Sequence, residues 1–275
     1  MSGAKGIALQ AGGALPRSGP VLRSLLGALG LRLAGILVLL VLWELAARGL
    51  ARTVPIAGQM GPGPALGSLW ALLAGGSLTA DILASLRRVL LSLAIALGAG
   101  VATGVAVGLS RWLDGLTAAA FQFLRMISPL SWMPIAVMAF GIGDAPVYFL
   151  LAITAVWPIM LGTAAGVRAL DPRWLLLGRS LGANRRELLR HVVLPGILGH
   201  VLTGSRVAIG MAWILLIPCE MLGVSSGLGY FILDSRDRLA WSELMAAIVL
   251  VGMLGLLLDA AAQWLRARFA AVPGH

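Results

Sequence analysis

The chain has 275 residues, of which 59% are hydrophobic and 12% charged, and its mean hydropathy is +0.95. A soluble domain carries about a quarter charged residues, so the composition excludes one. The net charge of +10 would suggest nucleic acid in a soluble protein, but here the arginines flank apolar runs, and no nucleic-acid partner is expected.

Residues 1–30 are rich in Gly, Ala and Ser. They read as a flexible cytoplasmic tail that ends at about residue 32. The next apolar run continues past Trp43, which favours a retained first span over a cleaved signal. A helix needs roughly 20 apolar residues to cross the hydrocarbon core. Six spans are predicted, near 33–50, 88–109, 118–140, 145–167, 199–222 and 244–265. Val89–Ser110, Met126–Gly143 and Ala145–Val167 contain no charge. Glu44, Glu220 and Asp259 are single acids inside spans. With both termini inside, 13 lysines and arginines fall on the cytoplasmic side and six (Arg48, Arg52, Arg87, Arg88, Arg236 and Arg238) on the other. That asymmetry fits the positive-inside rule. The expectation is an all-α polytopic membrane protein in contact with lipid.

In the second span Ala96, Gly100, Gly104 and Gly108 recur every four residues. The stripe lets another helix approach closely, either within the chain or from a second subunit. In the third span Pro129 and Pro134 each remove a backbone donor. Trp132 and Met133 between them form either an apolar gate or a packed kink, and Arg125 before them is placed to attract an anion. Together with Pro134 and Glu220 these are the candidate pathway residues. Glu220 serves either as a hydrogen bond that fixes a helix break near Pro218 or in gating, and it would repel an anionic substrate.

The polar segment 168–195 lies between two apolar runs. Asp171 and Pro172 have the chemistry of a helix start. A short helix through Trp174–Leu177 is expected to end near Gly182. Asn184 with Glu187 has capping-box spacing. In the helix that follows, Leu188, Leu189, Val192 and Val193 share one face, while Arg185, Arg186 and Arg190 lie largely on the other. Pro195 is expected to interrupt the hydrogen-bond ladder before the fifth span. Tethering to two spans excludes a DNA-reading helix pair, and leaves a membrane-surface helix or a protein-docking helix.

Catalytic signals are weak. Lys5, the only lysine, lies in the tail, so no phosphate-binding loop is present. Gly223-Val224-Ser225-Ser226-Gly227 matches G-x-S-x-G, but no histidine is placed to activate Ser225. No metal-ligand spacing occurs, and Cys219 reads as a small apolar residue in a helix. A secondary carrier could use Glu220 and Asp259 as coupling groups, but no internal repeat is visible.

Gly182, nine residues and then Val192-Val193-Leu194-Pro195 resembles the EAA loop of binding-protein-dependent ABC transporter permeases. Phe140-Gly141-Ile142-Gly143 and Gly227-Leu228-Gly229-Tyr230-Phe231-Ile232 resemble their nitrate/sulfonate/taurine branch, with a lean to nitrate-type members. The resemblance covers about residues 70–268. It implies a MetI-like permease fold over 33–268 with a coupling loop at 168–195. It implies that Gly182, Ala183, Arg185, Arg186, Glu187, Leu188, Val192, Leu194 and Pro195 meet a separate ATPase, which uses ATP and Mg while this chain binds no cofactor. It also implies a second permease copy, a periplasmic or lipid-anchored substrate-binding protein, and residence in a bacterial inner membrane. The cargo implied is a small anion such as nitrate, nitrite or cyanate, with an aliphatic sulfonate or taurine as the alternative. Leu176-Leu177-Gly178 stand where Glu-Ala-Ala is usual.

Overall fold

The computed structural model describes residues 19–270; the expectation of a tail lies, for residues 1–18, outside them. Among the described residues there are 11 α-helices and no strand. The chain divides into two compact units at Pro62–Gly63.

The first unit contains α1 (Gly19–Ala51) and a short 3-10 turn at Pro55–Met60. The helix therefore starts 14 residues before the predicted span. The indole N–H of Trp43 donates to the Met60 carbonyl at 2.9 Å. Leu37, Leu39 and Leu45 are exposed along α1, as lipid-facing side chains are.

The second unit holds α2 (Pro62–Ala74), α3 (Thr79–Leu109), α4 (Arg111–Met126), α5 (Met133–Phe140) and α6 (Asp144–Ala169). It continues with α7 (Pro172–Ser180), α8 (Arg185–Leu188), α9 (Leu194–Gly223), α10 (Leu228–Asp237) and α11 (Trp241–Ala270). Helices α1, α3, α6 and α11, together with the stretch Arg185–Gly223, are long and apolar enough to cross a membrane.

The expected continuous span at 118–140 is corrected. It is two helices, α4 and the Pro129–Phe140 pair, bent by 88°. The cause is local. A proline pushes the residue before it into extended backbone, and Ile127 and Ser128 have ψ of 129° and 128°. Pro129 then opens a 3-10 turn, and Pro134 sits in the first turn of α5. Counted as one broken span, the pair brings the total to six.

Helix α6 is the centre of the second unit. The stripe on α3 packs against it, so its role is internal. A Cβ at Gly104 would lie 2.6 Å from the Met160 carbonyl oxygen, and one at Gly108 would lie 2.7 Å from Val167. On its other side α6 meets α9, where a Cβ on Gly204 would lie 2.6 Å from the Pro158 carbonyl. Without a water-driven hydrophobic force between helices, such backbone proximity supplies the packing. Inside α6, Thr154 and Thr163 donate to the carbonyls of Leu150 and Ile159 at 2.7 Å each. Each bond offsets the cost of burying a hydroxyl away from water.

Candidate functional site

The polar segment is built by its caps. The Asp171 carboxylate accepts from the Arg173 N–H at 2.9 Å and starts α7. The helix ends in a Schellman turn. Gly182 has φ +80°, its N–H donates to the Arg179 carbonyl, and the Ala183 N–H donates to the Gly178 carbonyl, both at 3.0 Å. Left-handed backbone of this kind favours glycine. Asn184 then caps α8, and Glu187 returns the bond to the Asn184 N–H at 2.7 Å, completing the capping box.

Leu188 and Val193 are buried, Leu189 and Val192 half-buried, and Arg185, Arg186 and Arg190 exposed. Five of the nine predicted docking residues, Gly182, Ala183, Glu187, Leu188 and Val192, line one open hollow. Leu194 and Pro195 are exposed in the first turn of α9. Pro195 does not interrupt the helix: a π turn at Leu189–Val193 joins α8 to α9. Where Glu-Ala-Ala is usual, Leu176 and Leu177 are exposed, and Leu181 is 79% exposed. A Cβ on Gly178 would lie 2.6 Å from Leu188, so a glycine there lets α7 and α8 close on each other.

The candidate pathway residues fall into three environments. Arg125 is exposed and lines a cleft of about 360 Å³ between α4 and α6. Met133 is buried in the main apolar core, with Trp132 half-buried against it, and Pro134 is exposed. Glu220 is fully buried in an ion network.

That network was not legible as a unit. Arg88 is 2% exposed, and its guanidinium donates to Glu220 at 2.6 Å and to Asp144 at 2.7 Å. It also donates to the Ser226 carbonyl at 2.8 Å. The Glu220 carboxylate accepts further bonds from the Ser85 hydroxyl at 2.8 Å and the Gly229 N–H at 2.9 Å. Helix α9 passes through Pro218 unbroken, so Glu220 does not fix a helix break there. It ties α9 to α3 and α10. Ser226, next to the Ser225 of the G-x-S-x-G match, accepts at its hydroxyl from Arg88 at 2.9 Å. Gly227 has φ +105°, and its N–H donates to Asp81 at 2.7 Å. The two motif stretches, Phe140–Gly143 and Gly227–Ile232, thus border one charged knot.

Asp259 is paired with Arg206 at 2.7 Å between α11 and α9. Both acids that a secondary carrier would use are held by arginines. Cys219 is buried in the main core.

Comparison with known proteins places this arrangement. Residues 94–271 match the family model described as the binding-protein-dependent transport system inner membrane component. The bicarbonate transport system permease protein CmpB of Synechococcus elongatus is 37% identical over 249 residues, covering 86% of this chain and 87% of that protein. The nitrate import permease protein NrtB of Synechocystis is 32% identical, covering 82% and 83%. The putative aliphatic sulfonates transport permease protein SsuC of Escherichia coli is 33% identical, covering 72% and 78%. Among solved structures, an inward-facing MetNI methionine ABC transporter has a similar fold. Its TM-score is 0.56 at 17% identity, covering 67% of this chain and 92% of that one.

Proposed function

From the premise that this chain belongs to the binding-protein-dependent transport system inner membrane components, we propose that it forms the membrane pathway for a small inorganic oxyanion. The chain is a multi-pass permease subunit of an ABC importer. ATP hydrolysis falls to a separate subunit that grips the segment 171–195. A second permease copy completes the pathway, and a substrate-binding protein delivers the anion on the opposite side. Both termini lie on the ATPase side.

The observation that carries the anion reading is the likeness to bicarbonate and nitrate permeases over more than 80% of each chain. The docking reading is supported by the capped α7–α8 pair and its hollow. The segment presents an apolar surface (Leu176, Leu177, Leu181) beside exposed arginines. Opening and closing then follow from a partner that contacts the two states differently. The likeness to the sulfonate permease supports the second reading, an organic sulfonate as cargo.

The test is reconstitution of the permease with its ATPase and binding protein in proteoliposomes. ATP-dependent uptake of nitrate or bicarbonate is expected. Uptake of an alkanesulfonate with neither anion transported would replace the first reading by the second.

A further inference from the structure

Four residues of α4, Ala118, Phe121, Gln122 and Arg125, follow the i, i+3, i+4, i+7 pattern of one helix face, and all four line the cleft toward α6. Two contacts fix the register of the helices. Asp114 pairs with Arg168 at 2.6 Å, at the Ala169 end of α6. Phe121 and Trp157 pack with ring centroids 5.7 Å apart and planes tilted by 59°. Trp157 is the fourteenth residue of the 26 in α6, so it marks the middle of the span. Arg125 is one turn beyond Phe121 and so lies near mid-membrane depth.

A cation at that depth is costly and ordinarily pairs with an acid or faces a water-filled path. Arg125 has no salt-bridge or hydrogen-bond partner among the described residues, in contrast to Arg88 and Arg206 in neighbouring spans. The cleft's only carboxylate, Asp114, is neutralised by Arg168. The free charge facing the cleft is therefore positive. Trp157, whose indole N–H is also without a partner among the described residues, lines the same space. At about 360 Å³ the cleft admits a small anion with part of its water shell.

We propose that the α4–α6 cleft is a mid-membrane resting site for a small oxyanion, with the Arg125 guanidinium as its anchor and the Trp157 indole as a second donor. A planar guanidinium offers two parallel donors, which fit the paired oxygens of nitrate or bicarbonate. The assignment rests on the anion reading above and gives it a location.

The test uses the full importer in lipid nanodiscs, with Gln122→Cys as reporter in a Cys219→Ala background. Saturating nitrate or bicarbonate should slow maleimide labelling of that cysteine, with a half-protection concentration at least about tenfold lower than in the Arg125→Gln variant, the scale expected from one charged hydrogen-bonding group. Protection should vanish with Arg125→Gln and persist in part with Arg125→Lys. An importer that takes up either anion while labelling ignores it overturns the site, as does protection that survives Arg125→Gln. Protection without uptake leaves the site standing and removes the cargo reading. Absence of both removes both.

Discussion

Arg88 and Glu220 lie 132 residues apart in sequence, yet their side chains meet at 2.6 Å with neither more than 2% exposed. Removing one partner of a buried pair costs about 3–5 kcal/mol, because the other charge is left uncompensated. Arg88 keeps Asp144 when Glu220 is lost, whereas Glu220 keeps only neutral donors when Arg88 is lost. Arg88→Leu is therefore expected to destabilise the importer more than Glu220→Gln. The Arg88→Leu/Glu220→Gln double variant should fall short of the summed losses, as coupled sites do. Thermal inactivation of the detergent-solubilised complex measures all three; additive losses would contradict the coupling.

Gly104 has no room for a side chain against α6. Gly104→Val is expected to cost about 1–3 kcal/mol through overpacking. Gly98, with open space around its Cβ position on the same helix, should accept alanine without loss. The yield of folded protein after extraction reads the difference.

Gly182 has free space at its Cβ but a left-handed backbone. Only the backbone penalty distinguishes substitutions there. Gly182→Val should weaken ATPase copurification, while Gly182→Asn, whose side chain tolerates this conformation, should retain it. Equal retention by both variants would remove the turn from the docking mechanism.

Orientation is tested at two exposed positions on opposite predicted sides. In a Cys219→Ala background, a cysteine replacing Arg186 should react only with reagent applied from the cytoplasm. One replacing Asp237 should react only from outside. The reverse pattern would invert the topology.

The spans were readable because uncharged stretches of bilayer length have few alternative fates. The capping box at Asn184 and Glu187 was readable because its partners are three residues apart. The 88° break is only half visible in the sequence: the prolines mark the place, and Pro129 imposes extended backbone on Ser128, but the resulting change of direction depends on how the two helices pack. The Arg88–Glu220 pair depends on tertiary proximity, so no local pattern encodes it. One signal was present: a carboxylate deep in a span needs a cation, and Arg88 stands directly before the charge-free run Val89–Ser110.

Helical structure is continuous from Arg185 to Gly223, 39 residues, or about 58 Å at 1.5 Å per residue. One end carries the exposed arginines of α8, and the other is clamped through Glu220 to α3 and α10. A stiff bar pinned near one tip turns a small sideways push at the other into torque at the pin. Even a tilt of a few degrees sweeps the free tip through several ångströms at this length. Under the docking proposed above, the charged knot acts as a fulcrum, and its rigidity would set how much of each push becomes movement within the bilayer.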